Sequence, residues 1–470
     1  MSEYEQDLSS VERAIMYRHV VIAVFCLPVY MAEPVLAGLI LGPYVMWMVF
    51  AAKPALLLPL MIHMIHGSQQ RYLALLACFI YSLLHVEAIA RRKMLMPFIL
   101  YLLSLPFFIW YTVMRYRVFG GGIGAGGTFE GLGYYFGISA FFWGLVAVRR
   151  IPPIVMRGFV MLCFINIVTH FLFFMKIPFT RFLFWSLPFL VALAFWNAFI
   201  SPHVGARSWG VMGSIALLVL LLGFLGMGEM PTTFTILGNV MLSVIVLVFA
   251  KFAPKMLWLL APVVVLPLLT IWMFHTIDSW YVNERGRGSS IAYNDIQVRD
   301  LESLRYKLFR KTMTDRAPVW YASWDAVKKQ FERDPIWVDV EQTFGDYSFT
   351  DNLGRAREVT MELAAHNMLL EMMRLYGLYG GLGIYLLYLI IPSMRKVRES
   401  LRRHIATPYA PILACCIGHI IIGGQTGQYP ISPQFTIYLF GLMGVCVGRL
   451  TEKDAIRYYP LLDEYRGGIR

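Results

Sequence analysis

The chain has 470 residues, of which 58% are hydrophobic and only 15% are charged, and its mean hydropathy is +0.60. Soluble domains carry about 25% charged residues, so this composition argues against an ordinary soluble enzyme, a disordered chain and a fibrous protein. The formal net charge of +12 comes from short basic clusters that separate long apolar blocks. This pattern is typical of a polytopic membrane protein.

The apolar blocks predict an all-α transmembrane helix bundle. A helical crossing needs roughly 20 apolar residues, and blocks of that length predict about 12 to 14 spans. About 11 of these spans form an N-terminal bundle over 1–276, and the others lie in 375–449. The polar segment 277–374 forms one large, partly helical loop, and 450–470 form a tail. The clear blocks include 71–90, 94–114, 132–149, 375–392, 408–424 and 433–449.

The basic clusters predict the orientation, because Lys and Arg in short loops mark the cytoplasmic side. With a cytoplasmic N-terminus, alternation of the spans places Arg91-Arg92-Lys93 and the basic run at 395–403 in the cytoplasm. The same alternation places both termini in the cytoplasm and 277–374 outside it. Arg115 and Arg117 then fall on the outer side, beside a glycine-rich loop.

The long loop is nearly neutral, with 14 Lys and Arg against 16 Asp and Glu between residues 276 and 374. The net charge of the chain therefore reflects membrane topology and does not indicate a nucleic-acid surface. Basic residues outnumber acidic ones only near the middle of the loop, which predicts an anion site. They are Arg299, Arg305, Lys307, Arg310, Lys311 and Arg316.

The end of the loop carries residues suited to chemistry. The sequence MELAAHNMLLEMMRLYG predicts an amphipathic helix that continues into the span at 375–392 and holds His366 at the outer membrane surface. Glu362 lies four residues earlier on the same helical face and could orient the imidazole. A histidine in such a place is by itself more often an interfacial hydrogen-bonding group. The glycines that follow predict close helix packing; they are Gly377, Gly380, Gly381 and Gly383.

The spacing of these residues resembles a known family. His366-Asn367, then nine residues, then Gly377-x-x-Gly380 is similar to the signature of the bacterial O-antigen ligase and Wzy-type polymerase superfamily. Upstream, Arg316-x-x-x-Trp320 and Asp334-Pro335 resemble that family's Arg-x-x-x-Trp helix and proline-containing turn. Where a Gly-x-Gly turn is common after the proline, this chain has the residues Ile336 to Glu341. The resemblance is specific over about 305–392, and elsewhere only the layout of spans and loop is similar.

The resemblance implies a membrane glycosyltransferase of the GT-C type in the bacterial inner membrane, with a periplasmic active site. The donor would be a glycan on undecaprenyl diphosphate, and the acceptor another glycan. The implied catalytic residues are His366, as the group that takes the acceptor proton, and Arg316, which would stabilise the diphosphate leaving group. Candidate substrate-binding residues for the diphosphate or glycan are Arg305, Arg310, Arg115, Arg117, Asn367 and Glu362.

Direct displacement would invert the anomeric carbon, and no metal or other cofactor is implied because arginine can stabilise the phosphates. Two activities remain open within the enzyme class: a polymerase of exopolysaccharide or O-antigen repeat units, and a ligase that moves finished glycan to lipid A core. A polysaccharide transporter or flippase is a more distant alternative. Expected partners are membrane lipids, a flippase and a chain-length regulator, and no nucleic acid.

Overall fold

The structure, a computed structural model, describes residues 70–119, 130–147, 317–339, 346–350, 356–360, 368–382, 389–402, 409–418 and 433–451, with single positions between 43 and 50 and at 420. Their helices are α1 (Gln70–Leu84), α2 (Val86–Arg91), α3 (Leu95–Leu103), α4 (Leu105–Phe119), α5 (Glu130–Ala147), α6 (Ala317–Arg333), α7 (Met368–Leu382), α8 (Ile391–Arg402), α9 (Tyr409–Gly418) and α10 (Pro433–Thr451).

One β-hairpin interrupts this helical architecture. Strands β1 (Asp346–Thr350) and β2 (Ala356–Thr360) pair antiparallel, with Ser348 opposite Glu358 at the centre of the register. The expected all-α fold therefore holds over the described residues apart from this hairpin, which the sequence did not predict. It lies within the polar loop at 277–374.

A tight turn joins α2 to α3 at the basic cluster that follows the first apolar block. Lys93 adopts a φ of 60°, its N–H donates to the Ala90 carbonyl, and the N–H of Met94 donates to Ile89. These bonds form a Schellman motif, which ends a helix with a residue in the left-handed region. The side chain of Arg92 then donates to the carbonyl of Gly448 over 2.7 Å. The basic turn is thus fixed to the C-terminal end of α10.

The break between α3 and α4 has a local cause. Pro106 lacks an N–H and its ring conflicts with the carbonyl four residues earlier, so a helix cannot continue through it unbroken. Ser104 adopts φ −81° and ψ −12°, and its hydroxyl donates to the Tyr101 carbonyl over 2.7 Å. The helical segment nevertheless extends across this break, from Leu95 to Arg117.

Helices α5 and α10 pack backbone against backbone. A Cβ on Gly448 would lie 2.7 Å from the Leu145 carbonyl oxygen, and a Cβ on Gly444 would overlap the carbonyl oxygen of Phe141. A Cβ on Gly144 would likewise overlap the α10 backbone. Small residues permit this close approach, as they commonly do between membrane helices.

Aromatic rings fill the space between α3, α4, α5 and α7. Tyr101 stacks on Tyr135 with ring centroids 4.5 Å apart and donates its hydroxyl to the Tyr135 carbonyl over 3.0 Å. Phe108 stacks on Tyr376 at 4.2 Å, and all four rings are buried. This core connects α3, α4 and α5 to α7, the helix that follows His366 in sequence.

Among the described residues, one helical segment is long and apolar enough to cross a membrane: Leu95–Arg117, with 23 residues. At a rise of about 1.5 Å per residue it measures about 34 Å. Only 33% of its most apolar stretch is buried, whereas the core helix of a soluble protein is mostly buried. The shorter apolar helical segments are Leu75–Leu84, Leu132–Val146 and Leu439–Thr451.

The blocks predicted at 94–114, 132–149 and 433–449 coincide within a few residues with α3–α4, α5 and α10. The block at 71–90 is divided at His85, between α1 and α2. The helix predicted to continue into the span at 375–392 bends at Gly377, and residues 383–388 of that span lie outside the described residues. The spans predicted at 152–276 lie outside the described residues, as do nearly all positions of those predicted before residue 67.

Candidate functional site

The turn after α6 contains no glycine and is closed by the side chain of Asp334. Asp334 accepts hydrogen bonds at Oδ1 from the N–H groups of Ile336, over 2.9 Å, and Trp337, over 3.1 Å. Pro335, which lies between Asp334 and Ile336, restricts the backbone conformation of its neighbours. An Asp side chain that binds the backbone two residues on replaces a backbone turn. We name residues 334–339 the Asp-Pro turn.

Gln330 on α6 fixes the shape of the Asp-Pro turn. Its Nε2 donates to the carbonyls of Asp334, over 3.1 Å, and Trp337, over 2.5 Å. Its Oε1 accepts from the N–H of Asp339 over 3.1 Å. Gln330 is itself buried, so one amide satisfies three backbone groups that would otherwise need water.

The Asp-Pro turn is bound to the side of α4. The indole Nε1 of Trp110 donates to the Val338 carbonyl over 2.8 Å. The ring of Trp337 lies 5.3 Å from that of Trp110 and 5.4 Å from that of Phe107, measured between centroids. Aromatic contacts at this distance are favourable. The Asp-Pro turn therefore docks on the C-terminal half of the long apolar segment.

Gly377 lies against the same turn. It adopts φ 76° and ψ 176°, a region occupied almost only by glycine. A Cβ there would lie 3.3 Å from both the Ile336 carbonyl oxygen and Cγ2 of Val338. The chain direction changes at Gly377, and a Cβ on Gly381 would lie 2.6 Å from the carbonyl carbon of Met372. The two halves of α7 thus pack against each other across the Gly377 bend.

Gly380 completes this packing. A Cβ on Gly380 would lie 3.2 Å from Cβ of Phe107, so α7 closely approaches α4. The predicted close helix packing is confirmed at Gly380, whereas Gly377 forms a bend that lies against the Asp-Pro turn. Gly383 lies outside the described residues.

Arg115 and Arg117 lie on the last turns of α4, which continues to Phe119, and not in the glycine-rich loop. Arg115 is half-buried, and its Nη1 donates to the Tyr111 hydroxyl over 3.0 Å. The Tyr111 ring contacts that of Tyr376, with centroids 5.1 Å apart, next to the Gly377 bend. Arg117 is exposed. Arg115 is thus held beside the bend while Arg117 faces outward.

A buried ion pair lies on the first half of α7. The Nη2 of Arg374 lies 2.7 Å from Oε1 of Glu371, and their side chains are only 2% and 7% exposed. Charges that are buried carry a large desolvation cost unless they are paired. This pair is not among the site residues predicted from the sequence. The signal that could have indicated it is a Glu-x-x-Arg spacing, which places both charges on one face of an otherwise apolar helix.

The remaining predicted site residues lie outside the described residues. In sequence, Arg316 directly precedes α6, and His366-Asn367 directly precede α7. The two helices, α6 and α7, contact each other. The residues not described are His366, Asn367, Arg316, Arg305, Arg310 and Glu362.

No group of three or more His, Cys, Asp or Glu side chains that could hold a metal ion occurs among the described residues. No family model matches the chain, and no curated protein matches it.

Proposed function

We propose that this protein is a membrane glycosyltransferase that polymerises undecaprenyl-diphosphate-linked repeat units into an exopolysaccharide or O-antigen at the periplasmic face of the bacterial inner membrane. The observation that carries the proposal is the contact between the Asp-Pro turn and the Gly377 bend. Two sequence elements that carry the family resemblance meet there, although they are separated by about 40 residues in the chain.

The long apolar segment supports the membrane location. Its length of about 34 Å fits a hydrocarbon core of about 30 Å, and its basic turn with Arg92 lies at the opposite end from Arg115. Arg449 lies at the same end of the long apolar segment as Arg92, because Arg92 donates a hydrogen bond to the carbonyl of the neighbouring Gly448. Basic clusters at one end are expected to be cytoplasmic. The Asp-Pro turn would then lie toward the periplasm, and the bundle would have about 12 to 14 spans in all.

The chemistry of the proposed reaction is a direct displacement. A hydroxyl oxygen of the acceptor sugar attacks the anomeric carbon of the donor and forms the new glycosidic bond. The bond from that carbon to the diphosphate oxygen breaks, and the lipid diphosphate leaves with the electron pair. His366 takes the hydroxyl proton, and Arg316 stabilises the charge that develops on the diphosphate. Arg115 is a further phosphate-binding group, because arginine presents paired donors to phosphate oxygens.

The test is the size and attachment of the glycan in cells that lack this protein and carry wild type, His366→Ala or Arg316→Ala at equal membrane levels. We expect both variants to leave single repeat units on the lipid carrier and no long chains. Long chains that accumulate on the carrier would identify a ligase instead. Normal glycan in the His366→Ala cells would overturn the mechanism.

His85→Ala is the matched control. The His85 ring stacks on Tyr81 with centroids 4.0 Å apart and its Nδ1 contacts the Tyr81 carbonyl. This histidine lies between α1 and α2, a few residues from the basic turn and therefore far from Arg115. We expect His85→Ala to retain long glycan chains, so that loss in His366→Ala is specific to the site.

A further inference from the structure

One face of the long apolar segment is exposed along its whole length. The exposed positions recur every three to seven residues, as on one side of a helix. They are large and apolar, and their exposed fractions range from 37% at Trp110 to 65% at Leu103. A continuous exposed apolar face on a helix of this length is the surface expected to contact lipid. The face consists of Met96, Ile99, Leu103, Trp110 and Val113.

The Asp-Pro turn extends this apolar face. Trp337 contacts Trp110 through its ring, and both indoles are 37% exposed. Ile336 beside it is 46% exposed. The two neighbouring side chains of the turn thus add a large apolar surface directly next to Trp110. This surface continues that of α4 and is formed by a different part of the chain.

Backbone N–H and C=O groups of the Asp-Pro turn are hydrogen-bonded within the protein, as a medium with little water requires. Asp334 accepts from the N–H groups of Ile336 and Trp337. Gln330 binds the carbonyl of Trp337 and the N–H of Asp339, and the Val338 carbonyl accepts from Trp110. Irregular backbone survives at membrane depth only where its polar groups are satisfied by protein. An ordinary surface turn can leave such groups to water.

The position along α4 agrees with the outer boundary of the bilayer. Trp110 lies 15 residues after Leu95, or about 22 Å along the helix. In a hydrocarbon core of about 30 Å that begins at Leu95, this places the Trp110 backbone about 8 Å below the outer boundary. Trp and Tyr are enriched near that boundary because their rings are amphipathic. Tyr116 and Arg117, one to two turns farther along, are exposed at the level of the lipid head groups.

We propose that the Asp-Pro turn is a membrane anchor: Ile336 and Trp337 insert beside Trp110 into the outer-leaflet interface and hold the start of the long loop at the lipid surface. The occupant of this surface is phospholipid. The water side of the turn is marked by the Arg333–Asp339 ion pair, whose arginine side chain is 60% exposed. The inference rests on the membrane location that the proposed function requires, but not on its chemistry.

The test is spin labelling of the full-length protein in vesicles of phosphatidylethanolamine and phosphatidylglycerol. Three single variants, Ile336→Cys, Ile99→Cys and Glu332→Cys, replace exposed side chains, so each is expected to fold. The unsubstituted protein gives the background from the six native cysteines. Collision rates with oxygen, which concentrates in lipid, and with a water-soluble nickel chelate are compared at each label.

We expect the oxygen-to-nickel ratio to be several-fold higher at Ile336→Cys and Ile99→Cys than at Glu332→Cys. If Ile99→Cys is lipid-exposed while Ile336→Cys matches Glu332→Cys, the anchor is overturned and the proposed function is not affected. If Ile99→Cys is also open to the nickel chelate, the long segment does not contact lipid. That outcome overturns both the anchor and the membrane enzyme.

Discussion

Gly377 faces Ile336 with little room between them. A Cβ on Gly377 would lie 3.3 Å from the Ile336 carbonyl oxygen, and Gly377 holds a φ of 76° and a ψ of 176°. The position of Ile336 is set by the Asp-Pro turn, which is hydrogen-bonded to α4 through Trp110. The bend in α7 therefore depends on two segments that are distant in sequence.

We expect Gly377→Ala to destabilise the protein by about 1–3 kcal/mol, because a residue with a Cβ is strained in this backbone region. Long glycan chains should be lost even where the variant reaches the membrane. The thermal midpoint of the detergent-solubilised protein measures the first effect. Gly441→Ala is the control, because its Cβ would meet only the Ala140 carbonyl at an ordinary 3.8 Å. An equal midpoint for both variants would contradict the strain argument.

A second prediction concerns the contact between α5 and α10. Gly444→Ala places a Cβ on the carbonyl oxygen of Phe141, so the helices must separate. Overpacking of this kind typically costs about 1–3 kcal/mol. We expect the thermal midpoint to fall for Gly444→Ala and to stay near wild type for Gly441→Ala, which lies on the same helix three residues earlier. If the two midpoints fall together, the close approach of the backbones is not the cause.

The sequence was sufficient to predict α3–α4, α5 and α10, because a long apolar block determines both the presence of a helix and its approximate ends. It also predicted close packing at Gly380. The bend at Gly377 could not be predicted, because a glycine in an apolar block fits a helix equally well. The bend is distinguished from a continuous helix by the contact of Gly377 with Ile336, which lies about 40 residues earlier in the chain.

The Asp-Pro turn illustrates the same limit. Asp334-Pro335 predicts a turn from local chemistry alone. The part played by Gln330 depends on a helix that places the amide within reach of Asp339, nine residues later. The hairpin at β1 and β2 was missed because two five-residue strands in a polar loop have no apolar alternation long enough to identify them.

Gln330→Glu tests the network of the Asp-Pro turn. A carboxylate keeps the acceptor for the Asp339 N–H but loses both donors, and it places negative charge against the carbonyls of Asp334 and Trp337. Leaving buried groups unsatisfied costs about 1–3 kcal/mol. We expect faster hydrogen–deuterium exchange in the peptide that covers 334–339, with little change elsewhere.

Glu332→Gln is the matched control for that exchange experiment. It makes the opposite amide and carboxylate replacement on the same helix, at an exposed position. Exchange at 334–339 should then equal that of wild type. If both variants accelerate exchange equally, a general perturbation of α6 is responsible and the loss of the Gln330 hydrogen bonds is not.

The last prediction concerns the buried pair on α7. Arg374→Leu leaves the Glu371 carboxylate buried without the guanidinium that lies 2.7 Å away, and breaking a buried pair typically costs about 3–5 kcal/mol. The double variant Glu371→Leu with Arg374→Leu removes both charges, so we expect it to recover most of the lost stability. Thermal midpoints of the single and double variants measure the coupling.

Arg91→Leu is the control, because Arg91 pairs with Glu87 at the surface. The two side chains are 77% and 80% exposed, and exposed ion pairs contribute little to stability. A double variant as unstable as Arg374→Leu alone would mean that α7 needs these side chains for more than mutual neutralisation.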